Sequence, residues 1–169
     1  PDRMTDSKKS LMMHLPIPKW LPFAFLLVSF LGFLDATYLT VAHYGGVALV
    51  CGVFQGCDVV TTSLYATVFG IPVALLGAVY YLDVFFFTLL YIDTKKPLFF
   101  LLAAGWTVAG LFASAWFMYL QLFVIRQICI YCIGSAATSA LLFACAVFFV
   151  WHGLKQISNP HPGEPPVLS

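Results

Sequence analysis

Four unbroken apolar stretches, each about as long as a bilayer is thick, constrain this chain more than any other feature. They run from Leu21 to Val41, Thr67 to Ile92, Leu98 to Val124 and Ile128 to Trp151. A helix crossing a hydrocarbon core of roughly 30 Å, at 1.5 Å per residue, needs about 20 apolar residues. Lipid offers the backbone no hydrogen bonds, so spanning segments are helices or strands of a closed barrel. Barrel strands alternate in polarity and these runs do not. With 62% hydrophobic and only 9% charged residues, the chain is far from a soluble domain, which has roughly 25% charge. The expected fold is an all-α integral membrane protein, a four-transmembrane-helix bundle with a long non-cytoplasmic loop between helices 1 and 2. A net charge of +1 provides no basic field for nucleic acid, so membrane lipid is the expected environment and nucleic acid is not a partner.

Turn chemistry and charge organise the rest. Pro97 opens the third run at a position where a missing N–H costs nothing, and Pro72 lies within the first turn or so of the second. Residues 1–20 read as a cytoplasmic amino-terminal segment, 21–152 as one four-helix membrane domain, and 153–169 as a flexible cytoplasmic tail. The first run is too long for a signal-peptide core and reads as a retained span. Arg3, Lys8, Lys9, Lys19, Lys95, Lys96 and Lys155 fall on one side of the bundle and only Arg126 on the other. The positive-inside rule then places both termini in the cytoplasm. It also sends the first loop and the turn before the fourth span to the periplasmic or extracellular side, the orientation expected in an inner or plasma membrane.

The cysteines lie on that outer side. Cys51 and Cys57 form C-x5-C in the first loop, and Cys129 and Cys132 form C-x-x-C where the fourth span begins. An oxidising compartment lets disulfides form there. At a helix start, unpaired N–H groups and the helix dipole favour a thiolate, the attacking species in disulfide exchange. Two neighbouring dithiol pairs at a membrane edge suit a relay between a water-exposed thiol donor and an apolar cavity able to hold a quinone. The alternatives are a structural Zn site, whose usual ligand spacing C-x5-C exceeds, or a pair of structural disulfides on a non-enzymatic scaffold. No His follows Cys132, which argues against haem attachment. Cys145, alone within the fourth span, reads as a small packing residue.

The motifs around these pairs resemble the vitamin K epoxide reductase family, in its bacterial form more than its animal one. From Cys51 the chain reads CGVFQGCDVVTTSLYATVFGIPVALLGAVYYL, with Ser63 in the loop and Gly-Ile-Pro entering the second span. CIYCIGSAATS matches the family's active-site pair, and LDATYLTVAHY extends the resemblance into the first span. Quinone-linked oxidases of the other four-span type keep both pairs in loops, whereas one pair here begins a helix. The resemblance implies a membrane thiol oxidoreductase in which Cys132 adjoins a quinone, either ubiquinone or menaquinone. Cys129 is then its disulfide partner, Cys57 the sulfur that attacks Cys129, and Cys51 the one that exchanges with a separate thioredoxin-fold (DsbA-like) protein. The animal enzymes carry a tyrosine four residues after the second active-site cysteine. Here that position is Ala136, which favours a quinone over vitamin K epoxide.

Other residues have weaker claims. Ser63 reads as a catalytic hydroxyl or a local cap. Phe69, Trp116, Tyr119 and Ala136 fall in the outer halves of the second, third and fourth spans and are candidate quinone contacts. Asp35 and Asp83 sit inside spans, where a carboxyl is either a proton relay or a hydrogen-bonded, bundle-facing group. His43, at the end of the first span, reads as a solvated side chain or a thiol-deprotonating base. Trp20 and Trp151 lie at span ends, where aromatic belts form.

Overall fold

The computed structural model describes residues 18–46 and 56–158. The amino-terminal segment before Pro18, loop residues 47–55 with Cys51, and the tail beyond Ser158 lie outside the described residues. Within them the chain forms α1 (Trp20–Gly45), a short loop helix α2 (Cys57–Thr61), a 3-10 turn (Leu64–Ala66), β1 (Thr67–Val68) and β2 (Ile71–Pro72). It continues as α3 (Val73–Thr94), α4 (Pro97–Tyr119), a π-helical turn (Leu120–Ile125) and α5 (Ile130–Ser158). Four of these helices are long and apolar enough to cross a membrane. Their outward faces carry large apolar side chains, including Phe23, Leu27, Phe86, Phe112 and Val147. In water that would be untenable; in lipid it is what a spanning helix requires.

Apolar burial cannot drive the spans together in a solvent as apolar as they are, so close approach and polar contacts must do it. α1 packs against α3 and α5, and α4 packs against the same two. Small residues set the approach: Gly77 lies against Ala36, and a Cβ on Gly32 would collide with the Tyr81 ring. Several buried hydroxyls satisfy themselves on their own helices, with Ser29 donating to Phe25 O at 2.6 Å, Thr88 to Val84 O at 2.7 Å and Thr107 to Ala104 O at 2.6 Å. Phe100 stacks against Phe25, Tyr91 and Phe149 within 5.3 Å, forming an aromatic cluster in one half of the bundle. Cys145 packs against this cluster. Cys57, Cys129 and Cys132 occupy the other half.

Two boundaries differ from the sequence reading. The second span begins at Val73, because Thr67–Val68 and Ile71–Pro72 pair as a two-residue antiparallel hairpin. Phe69 and Gly70 turn it with φ of 52° and 80°, and positive φ at both central residues is the geometry that matches strand twist. Pro72 therefore stands just before the helix and contributes no interior kink. The fourth helix continues through Lys155 to Ser158, where the sequence suggested tail. Lys155 places its ammonium 5.3 Å from the centre of the Trp151 ring, one turn back. The third span ends in a π turn closed by Arg126 in the left-handed region, with Gln127 N–H donating to Gln121 O at 3.2 Å.

Candidate active site

The π turn widens the end of α4 and thereby presents Gln121 inward. Gln121 is buried, and its Oε1 accepts the backbone N–H of Cys129 at 3.0 Å, eight residues on. That bond ties the end of the third span to the start of the fourth. It also satisfies an N–H that precedes α5 and has no helical partner.

Cys129 is fully buried, while Cys132 lies in the first turn of α5 and is half-buried. Both are free thiols, and Cys132 N–H points at Cys129 Sγ from 3.4 Å. A hydrogen bond from the Cys132 thiol, with support from the Cys132 and Tyr131 backbone, pulls the Cys129 thiol down to about 7. Burial and the Asp35 carboxylate oppose this and do not win. Cys129 is thus the readily ionised member of the pair, as a sulfur placed at a helix entry should be.

Cys57 is fully buried and disulfide-bonded. It sits in one apolar cluster with Cys129, Leu39, Ala42 and Val60, bordered by Cys132. The preceding Gly56 lies so close to the Gln127–Ile128 backbone that a Cβ there would come within 3.0 Å of both Ile128 O and Ile128 N. Glycine is what allows the loop helix to seat its first residue on the entry to α5. Thr61 Oγ1 donates to Cys57 O at 2.8 Å, and His43 Nδ1 lies 3.2 Å from Thr61 O, tying the loop helix to the end of α1. Ser63 Oγ donates to Val60 O at 2.8 Å and so closes the same helix. Cys51 lies outside the described residues.

Beside the sulfurs lies a cavity of about 460 Å³ lined by residues of α1, α3, α4 and α5, within the usual range of roughly 300–1,000 Å³ for small-molecule sites. Cys132 forms part of its wall. Facing it are flat or small apolar groups such as Trp106, Ala109, Phe117 and Ala136, with Ser63 and His43 at the loop side. Of the four residues suggested as quinone contacts, Ala136 lines this cavity. Phe69 is fully exposed at the hairpin tip, and Trp116 and Tyr119 stack on each other at 6.0 Å on an exposed face. None of these three is part of the lining. Asp83, beside Val84 of the aromatic cluster in sequence, is likewise outside it.

Residues 23–147 match the family model described as Vitamin K epoxide reductase family. The chain belongs to the vitamin K epoxide reductase family. Membership makes it a membrane thiol-disulfide oxidoreductase, of a family that acts on quinones. No curated protein matches the chain.

Two features of this family member escaped sequence reasoning. Gln121 is a lone amide in an apolar run, and that polarity was the available signal; its partner depended on the π turn, which no pattern announces. Tyr81 reaches from α3 to α5, donating to Ser135 O at 2.6 Å and lying 2.7 Å from Thr138 Oγ1 and 3.0 Å from Ser139 Oγ. The Ser and Thr run after C-x-x-C was visible in sequence, but nothing paired it with a tyrosine in another span.

Proposed function

We propose that the protein carries electrons from a reduced thioredoxin-fold (DsbA-like) partner, through Cys51/Cys57 and then Cys129/Cys132, to ubiquinone or menaquinone, supporting disulfide formation outside the membrane. The observation that carries the reading is the order of the sulfurs: Cys57 clusters with Cys129, and Cys132 lies on the cavity wall. A structural pair of disulfides would have no need of a cavity at one sulfur.

The partner's dithiol reduces the Cys51–Cys57 disulfide by thiol exchange, leaving the partner oxidised. Cys57 thiolate attacks Cys129 of the Cys129–Cys132 disulfide, forming a Cys57–Cys129 bond and releasing Cys132. Cys51 then attacks Cys57, which restores the loop disulfide and leaves Cys129 as thiolate. The dithiol that results gives two electrons and two protons to the quinone, and the Cys129–Cys132 disulfide re-forms. A bound quinone supplies the two-electron acceptor; Cys132 meets it from the wall, and Trp106, Phe117 and Ala136 shape the slot. The apolar lining excludes water that would otherwise compete for the thiolate. Positive-inside asymmetry supports cytoplasmic termini and an outer-side relay.

Quinone reduction by the purified protein, driven by a reduced thioredoxin-fold protein, tests the proposal. Cys132→Ala and Cys51→Ala should both abolish turnover, and a mixed disulfide should be trapped in at least one. Turnover that persists in both variants would refute the relay.

A further inference from the structure

A carboxyl group with one buried oxygen left unpaired among the described residues stands near the dithiol. Asp35 lies on α1 within the first span, and its Oδ2 is buried with no hydrogen-bond partner among the described residues. An unpaired carboxylate in a membrane interior is costly enough to need a reason. Its neighbours one turn along α1 fix where it faces. Tyr38 places its ring 5.1 Å from Tyr131 of α5, and Leu39 packs in the cluster that holds Cys129 and Cys57. Residues 35, 38 and 39 share one helix face, so Asp35 fronts the entry to α5, and its charge acts on Cys129, Tyr131 and Cys132.

The groups that could share a proton with it are few. Cys129, Tyr131 and Cys132 face it from α5 and Tyr38 from its own helix. On α3, Tyr81 lies against Gly32 about one turn below and is hydrogen-bonded to Ser135. Among the described residues no charge of opposite sign acts on Asp35.

We infer that Asp35 is the proton partner of the Cys129–Cys132 dithiol, its carboxylate taking one of the two protons released as the thiols close to a disulfide. This rests on the quinone-reducing reading above. Closure breaks two S–H bonds and forms one S–S bond. Two electrons and, in sum, two protons pass to the quinone, which leaves as hydroquinone. Asp35 holds one proton in transit and ends as the carboxylate it was. Asp35 is not among the residues that line the cavity, whereas Cys132 is.

Asp35→Asn keeps the shape and removes the acceptor. Two readouts on the full-length protein in detergent test it: quinone turnover, and the pH profile of iodoacetamide labelling at Cys129 read by mass spectrometry. Turnover number should fall at least tenfold with the KM for quinone little changed, since proton transfer by a placed group is worth roughly 10²–10⁴. The labelling midpoint should move to lower pH, because a negative charge that opposes the thiolate is gone. A merely loosened structure would move it the other way, toward the ordinary thiol value. Asp35→Glu should restore most of the turnover. Should the Asn variant not fold, labelling the wild-type protein with a hydrophobic carbodiimide gives the same test: modification mapped to Asp35 should stop quinone reduction while exchange at the loop pair continues. Unchanged turnover and labelling in Asp35→Asn, or full turnover in protein modified at Asp35, overturns the inference alone. A wild-type protein that reduces no quinone overturns the reading beneath it.

Discussion

Replacing Cys132 by alanine removes the largest influence holding the Cys129 thiol at about 7, namely the hydrogen bond donated by the Cys132 thiol. What remains is burial and Asp35, which oppose the thiolate, against two backbone donors. The Cys129 thiol should therefore return to the ordinary value of about 8.5 or above. Only the thiolate reacts with iodoacetamide, so the ratio of thiolate fractions sets the ratio of rates. At pH 6 a thiol titrating at 7 is about 9% ionised and one at 8.5 about 0.3%, a difference of roughly 30-fold. At pH 9.5 both are largely ionised and the rates should agree within about 20%. Buried Cys129 reacts slowly at every pH, but access cancels when each protein is compared with its own high-pH rate. Labelling at Cys129, quantified by peptide mass from pH 5.5 to 9.5, is the assay. Superimposable profiles for wild type and variant, or a wild-type midpoint near 8.5, would refute the argument. The same lowering has a consequence for stability. Between about 7 and 8.5 the unfolded chain still holds a proton that folded Cys129 has released, so stability should rise with pH across that window and lose this contribution below it.

Gln121→Leu leaves the buried Cys129 N–H without its acceptor, which should cost about 1–3 kcal/mol and lower the thermal midpoint in detergent; an unchanged midpoint would mean that another acceptor takes over. Tyr81→Phe deletes the hydroxyl joining α3 to α5 and should cost about 1 kcal/mol, the modest scale of polar contacts between spans, measured by unfolding in mixed micelles. Ala136→Phe fills part of the cavity beside Cys132, so the KM for quinone should rise about tenfold or more while thiol exchange at the loop pair is unaffected. Trp116→Ala, on a face away from the lining, should change that KM less than about twofold.

The four spans could be read from sequence because a membrane reduces the fold problem to length and apolarity, and both are local properties. The place of Cys129 and Cys132 at the entry to the fourth span followed from the same reading, whereas the short helix that Cys57 opens did not. The hairpin before α3 could not be read that way: Thr67–Pro72 is apolar enough to extend a span, and only the paired positive φ at Phe69 and Gly70 separates it. The cavity contacts failed to follow from depth alone. Phe69, Trp116 and Tyr119 lie toward the same end of the bundle as Ala136, but a helix has a lipid face and a bundle face, and these aromatic residues are exposed. In a soluble helix, apolar periodicity would have told the faces apart; in a span that is apolar all round it carries no such information.

That loss of information puts weight on the polar residues, the few positions in a span whose orientation costs free energy if wrong. Gln121, Tyr81 and Asp35 each sit in an apolar run, and each meets the entry or first two turns of α5. Gln121 and Tyr81 are satisfied there, by Cys129 N–H and by the Ser135–Ser139 turn. Asp35 Oδ2 is not. Two of the three polar side chains thus hold the C-x-x-C helix in place, and the third stands next to the sulfurs unsatisfied. A group kept for stability alone would be replaced at no loss by an apolar residue of similar size. A fall in turnover in Asp35→Asn together with a labelling midpoint that moves to lower pH therefore separates a residue that exchanges a proton with the dithiol from one that braces α5.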